Sequence, residues 1–149
     1  MPASKSRLSD FLPYQMSVSA NAVSDMVAQQ YRARFALKIP EWRVMAVLGD
    51  AGPQTQRQLV GATRMDKVAV NRACKVLEER GLIARSPNAR DGRSHHLELT
   101  APGRGVYGEI MPIALEMERK LFAPLSPAEQ QTFKALLARI HQQAAGPGE

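Results

Sequence analysis

The chain has 149 residues, 44% of them hydrophobic and 23% charged, with a net charge of +6. That is enough chain to bury one core without staples, and its apolar runs are too short to span a membrane. The start, "MPASKSRLSDFLPYQ", has no apolar stretch of secretory length, and one cysteine, Cys74, can form neither an internal disulfide nor a metal cluster; together they point to a cytoplasmic protein.

From about Gln15, past Pro13, apolar residues at Met16, Ala20, Val23, Val27 and Tyr31 recur every three or four positions and predict one long helix. A second, shorter helix is expected from Pro40, with Glu41 in its first turn and an end at Gly49 or Gly52. Its cap position would be Ile39, which has no side-chain acceptor. Thr55 is a candidate N-cap for a helix of about two turns stopped near Gly61. Asp66 caps the next helix, which Gly81 closes.

"LIARS" and "HHLELT" alternate like half-buried strands around the turn-rich "PNARDGR", which makes a hairpin with a long tip. Beyond Thr100, Val106, Ile110, Ile113, Met117 and Leu121 mark a long helix that Pro112 should kink. The last helix carries Ser126, Pro127 and Glu129 as cap, first position and capping-box acid, and Phe133, Leu136, Leu137 and Ile140 as its apolar stripe. The fold class is mainly α with a small β-hairpin.

Charge is distributed unevenly along this order of elements. Residues 54–100 carry nine Lys/Arg against five Asp/Glu, whereas residues 101–149 carry five of each. A basic middle third containing helix, turn, helix and hairpin is the layout of a winged helix-turn-helix, whose second helix enters the major groove of duplex DNA. On that helix Val70, Cys74 and Leu77, with Ala73 beside them, share the face expected to pack inward. Val68, Asn71, Arg72 and Lys75 fall on the other side, with Lys67 and Ala69 at its edges. Lys67 and Arg72 suit guanine O6 and N7, Asn71 can pair with adenine, Val68 or Ala69 can touch a thymine methyl, and Lys75 suits phosphate. Thr55, at the start of the first helix of the pair, is a further candidate contact. The competing reading is an ordinary amphipathic helix with a solvated cationic face.

The hairpin tip adds to this. A hairpin that only had to turn would favour two residues, whereas this one spends about seven and includes Arg90 and Arg93. An arginine on a narrow finger can enter the minor groove while a neighbouring carboxylate orients it. That reading has Arg93 insert, Asp91 orient it and Arg90 meet phosphate; the competing reading of an Asp-x-Arg in a loop is a surface salt bridge.

The stretch "MDKVAVNRACKVLEERGLIARSPNARDGRSHHLELTAPG" resembles the core of the MarR-type (multiple antibiotic resistance regulator) transcription factors, through "LEERGLIAR", the wing "DGR" at 91–93 and the "LT" at 99–100. "EWRVMAVL" at 41–48 and "GRGVYGEIMP" at 103–112 extend the likeness to roughly residues 10–142. The resemblance implies a homodimer built from terminal helices (10–36 and 101–145) around a DNA-binding lobe (40–100). It also implies a pseudo-palindromic operator and repression relieved by a small ligand or oxidant. A ligand crevice follows from the same likeness, and Met16, Ser19, Arg43, Met45 and Met111 are its candidate lining, with Arg43 placed to hold a carboxylate.

Other readings are weaker. Cys74 could serve a redox-sensing regulator, but its inward position favours a structural thiol. His95 and His96 point to alternate faces of their strand and His141 stands alone on the last helix, so no metal set forms. No phosphate loop, nucleophile elbow or acid/base pair suggests an enzyme, and no cofactor is called for. A winged-helix module that binds other proteins is the remaining rival, since fold does not fix function.

Overall fold

The computed structural model describes residues 7–87 and 95–146. A 3-10 turn, Leu8–Asp10, leads into α1 (Leu12–Phe35). Helix α1 therefore starts before Pro13, not after it. Proline is tolerated in a first turn, where its missing N–H would have had no intrahelical partner. The helix ends at Ala36, which is left-handed (φ 53°). Two bonds from the Arg80 guanidinium, to Ala36 O at 3.1 Å and Phe35 O at 2.8 Å, satisfy that end.

Helix α2 (Ile39–Ala51) is capped at Lys38, not at Ile39. Lys38 has no side-chain acceptor, so the cap consists of the Glu41 carboxylate accepting the Lys38 N–H at 3.2 Å. A two-residue strand, β1 (Gln54–Thr55), precedes α3 (Gln56–Thr63), and α4 spans Lys67–Glu79. Gly61 does not stop α3; the helix continues to Thr63 and ends on a left-handed Arg64 (φ 59°). Glycine in a helix interior costs about 1 kcal/mol but breaks no hydrogen bond, so two more residues carry the helix on.

Strands β2 (Ile83–Pro87) and β3 (His95–Leu99) form the expected hairpin, with Ile83 opposite Leu99 and Pro87 opposite His95. Strand β1, unforeseen from the sequence, pairs antiparallel with the other edge of β3 through Gln54↔Leu97 and Thr55↔His96, so β3 is central. Helices α5 (Ala101–Phe122) and α6 (Pro127–Ala145) follow. Pro112 lies inside α5 without ending it. Ser126 caps α6 with the foreseen box, accepting the Glu129 N–H at 3.1 Å while Glu129 accepts the Ser126 N–H at 2.9 Å.

The described residues divide into two compact units, one up to Met111 and one from Pro112. The core of the first contains Tyr31, Leu37, Val44, Met45, Leu59, Val70, Cys74, Leu77, Leu97 and Ile110, all with less than 2% of their surface exposed. Trp42 bridges its helices, with ring centroids 5.0 Å from Tyr31 and 6.1 Å from Tyr107. In the second unit Phe122 and Phe133 meet at 5.8 Å. Phe133, Leu136, Leu137 and Ile140 nevertheless stay 44–51% exposed, so the stripe of α6 is uncovered in the single chain.

Candidate nucleic-acid interface

Two side-chain caps place the helix pair. Thr55 accepts the Gln58 N–H at 3.1 Å while Gln58 accepts the Thr55 N–H at 2.8 Å, a complete capping box on α3. Asp66 Oδ1 accepts the Ala69 N–H at 2.7 Å and starts α4. Its end is a Schellman turn, in which Gly81 N–H reaches Glu78 O and Leu82 N–H reaches Leu77 O, each at 3.0 Å, with Gly81 at φ 71°.

Between those ends α4 is two-faced. Val70, Ala73, Cys74 and Leu77 are its buried residues, the same four expected from periodicity. Lys67, Val68, Asn71, Arg72 and Lys75 are exposed, and Ala69 is half-buried. Val68 stands out as an apolar side chain 66% exposed among these cations and amides. Thr55 is half-buried, and its hydroxyl is engaged as the α3 cap. Arg90, Asp91 and Arg93 lie outside the described residues.

Beside this face lies a set of side chains that periodicity does not reveal. The Arg85 guanidinium on β2 is paired with Glu78, Nη2 to Oε1 at 2.7 Å and Nε to Oε1 and Oε2 at 3.1 and 3.2 Å. The same Nη2 also donates to Gln56 Oε1 at 3.3 Å, and Gln56 Nε2 donates to Asn71 Oδ1 at 2.9 Å. Gln56 and Asn71 are fifteen residues apart, Gln56 and Arg85 twenty-nine, so only the assembled fold joins them.

Cys74 sits beneath, fully buried, and burial pushes its thiol up to about 11, with nearby Arg85 opposing only in part. A thiol held protonated in the core is a poor nucleophile, which fits the structural role. Among the described residues no cluster of His, Cys, Asp and Glu could hold a metal ion.

The five ligand candidates are scattered over different environments. Met16 and Ser19 are exposed on α1, Arg43 is exposed on α2, Met111 is half-buried on α5, and Met45 is fully buried in the core. A cavity of about 420 Å³ lies elsewhere in this unit, between the end of α2, β3 and the start of α5, lined by Leu48, Pro53, Glu98, Arg104 and Tyr107 among others. None of the five lines it. Its arginine is committed to the backbone, Arg104 Nη1 donating to Leu99 O at 2.9 Å.

Comparison with known proteins agrees with this geometry. Residues 37–94 match the family model described as "MarR family". The chain is 28% identical over 132 residues to the HTH-type transcriptional regulator YwoH of Bacillus subtilis, covering 89% of this chain and 95% of that protein. A probable transcriptional regulator from Pseudomonas aeruginosa is similar in structure at TM-score 0.75 and 32% identity, covering 90% of this chain and 99% of that one. A MarR/EmrR family regulator from Acinetobacter sp. ADP1 superposes at TM-score 0.86 with 25% identity, covering 93% and 98%. With a capped, two-faced second helix in a helix-turn-helix, a three-stranded wing sheet and these likenesses along nearly its whole length, the chain belongs to the MarR family of transcriptional regulators.

Proposed function

We propose that the chain acts as a homodimeric repressor that binds a pseudo-palindromic operator in duplex DNA and lets go of it when a small aromatic ligand binds. The observation that carries the DNA-reading part is the division of α4: four apolar residues buried, with Lys67, Asn71, Arg72 and Lys75 exposed on the opposite side. In this reading Lys67 and Arg72 address guanine edges, Asn71 a base edge, Val68 and Ala69 a thymine methyl, and Lys75 and the start of α3 at Thr55 the backbone. Arg93 enters the minor groove, oriented by Asp91, and Arg90 meets phosphate. The protein is no enzyme, needs no cofactor and works in the cytoplasm.

A fold relative supports the partner: MepR of Staphylococcus aureus has been crystallised as a DNA complex, at TM-score 0.79 and 23% identity. For the ligand, BpsR of Bordetella bronchiseptica, at TM-score 0.83 and 24% identity, is a regulator whose DNA binding is controlled by 6-hydroxynicotinic acid. In this reading an aromatic acid of that class has Arg43 as its carboxylate partner and Met16, Ser19 and Met111 as ring contacts, while Met45, fully buried in the core, would have to become accessible to join them. A ligand that prefers a dimer with the wrong recognition-helix spacing would shift the population away from DNA.

The test is a mobility shift with duplex DNA from the region upstream of the chain's own gene. Wild type is expected to retard it at nanomolar concentration, and Arg93→Ala to weaken binding by about 1–3 kcal/mol per site. Retention of full affinity by Arg93→Ala would remove the wing from the contact.

Dimerisation rests on the uncovered apolar residues of the terminal helices. Leu12, Met16, Val18 and Val23 on α1 and Phe133, Leu136, Leu137 and Ile140 on α6 are 38–68% exposed in the single chain, apolar surface that a second copy would take out of water. Sedimentation is expected to give twice the chain mass of 16.4 kDa, and Leu136→Glu with Leu137→Glu to lower it. A wild-type chain that sediments as a monomer would exclude the dimer.

A further inference from the structure

We propose that Gln56 and Arg85 are positioning residues for base reading: through a one-way relay of hydrogen bonds from Glu78, they set which end of the Asn71 amide the DNA meets. The inference rests on the DNA-reading function above and adds residues that no groove-facing pattern selects.

Donor chemistry alone orders the relay. Glu78 as a carboxylate only accepts, and Arg85 only donates, so the end of Gln56 that faces Arg85 must be its oxygen. The other end of that amide is then a donor, and it lies 2.9 Å from Asn71. Asn71 must answer with Oδ1, which leaves Nδ2 and one Oδ1 lone pair for a base edge. An unrestrained asparagine can turn its amide over and suit either order of donor and acceptor. One held in this way offers a single order, and so distinguishes base edges that differ in that order.

The geometry is more than a stabilising cluster would require. The Arg85 and Glu78 side chains are 36% and 31% exposed, and ion pairs so open to water contribute little to folding. What the relay does supply is rigidity. Arg85 comes from the wing sheet, Gln56 from the first turn of α3, and Glu78 from the same helix as Asn71, so three elements hold one exposed amide. Such pre-organisation lowers the ordering cost on binding and sharpens the choice among sequences. Arg85 also borders the wing, so a wing displaced on the DNA backbone would loosen the grip on Asn71.

The experiment is selection of the full-length protein against a randomised duplex DNA library, comparing wild type with Asn71→Ala, Gln56→Ala and Arg85→Lys. Asn71→Ala identifies the base step that Asn71 reads. Gln56→Ala is expected to flatten the preference at that same step at least about fivefold, leaving other steps and the salt dependence unchanged. Arg85→Lys keeps the charge but loses the planar fork, and is expected to act in the same direction at the same step. Thermal melting of each variant establishes that it is folded, and a uniform loss of affinity, which a merely damaged scaffold would cause, would not single out one step.

The relay is overturned if Gln56→Ala and Arg85→Lys keep the wild-type preference there, if they change all steps alike, or if Asn71→Ala alters none. A wild-type chain that selects no sequence would instead overturn sequence-specific DNA binding itself, which separates the two failures.

Discussion

Operator affinity is expected to fall by about 10³- to 10⁵-fold when salt is raised from 50 to 200 mM, as for a protein that neutralises roughly 6–10 phosphates. The chain has Lys67, Arg72 and Lys75 on the exposed side of α4, and Arg90 and Arg93 in its wing sequence. In the proposed dimer that set is doubled, and cations seated in the grooves as well as those on phosphates displace condensed counterions, so the slope reports how much phosphate charge the protein covers. Titration by fluorescence anisotropy at four or five salt concentrations checks this. Lys75→Ala should reduce the slope by about one for each phosphate it leaves unneutralised and weaken binding to all sequences alike, unlike a residue that reads a base. A flat salt response in the wild type would be incompatible with a basic recognition face docked on DNA.

Gly103→Ala is expected to destabilise the fold by about 3 kcal/mol, lowering the melting temperature by roughly 6–12 °C. Gly103 is in the first turn of α5, and a Cβ there would overlap the Leu82 carbonyl oxygen and lie 2.9 Å from the carbonyl carbon. The obstacle is backbone, and it is pinned. Leu82 O accepts the Thr100 N–H at 3.0 Å, and Leu82 N–H is already spent on closing α4. Thr100 Oγ1 donates to Gly81 O at 2.6 Å and accepts the Gly103 N–H at 3.1 Å, so one threonine fastens the start of α5 to the end of α4. No side chain can swing aside to make room. Gly61→Ala provides the control, because a Cβ at that exposed position in α3 meets nothing within 4 Å. It is expected to raise stability by up to about 1 kcal/mol through helix propensity. Circular dichroism melts of the two variants test both signs, and an unchanged melt for Gly103→Ala would show that the Leu82 turn can yield.

Those contacts explain residues that carried the family likeness. In "RGLIAR" and "LTAPG", the glycine at 81 supplies a left-handed turn, the threonine at 100 a clip, and the glycine at 103 a close approach. The motif is a joint between the reading helix and the helix that follows the wing. From the sequence only the closing role of Gly81 was legible as chemistry; the roles of Thr100 and Gly103 appeared when the two segments were seen in contact.

Local chemistry was legible residue by residue. Thr55, Asp66 and Ser126 each cap the helix they were expected to cap, since a side-chain oxygen satisfying an N–H three residues on needs no distant partner. The inward face of α4 and the strands on either side of the wing were legible for a similar reason, because burial imposes periods of 3.6 and 2 on the sequence itself. Where a local rule was a weak preference, the structure departed from it: Pro13 lies inside α1, Gly61 inside α3, and Lys38 rather than Ile39 precedes α2.

The order of the helices and wing strands, the caps at Thr55, Asp66 and Ser126, the apolar and cationic sides of α4, and the kind of partner such a layout fits could be read from the residues alone, because each depends on neighbours within about a turn. Tertiary structure decided the rest: β1 against β3, Gly103 against Leu82, and the path from Glu78 through Arg85 and Gln56 to Asn71. Those features join residues on separate elements, Gln54 with Leu97 and Gln56 with both Arg85 and Asn71, and no periodicity records such a meeting. Whether an exposed asparagine is free to turn or held in one orientation depends on which side chains the fold brings within about 3 Å of it.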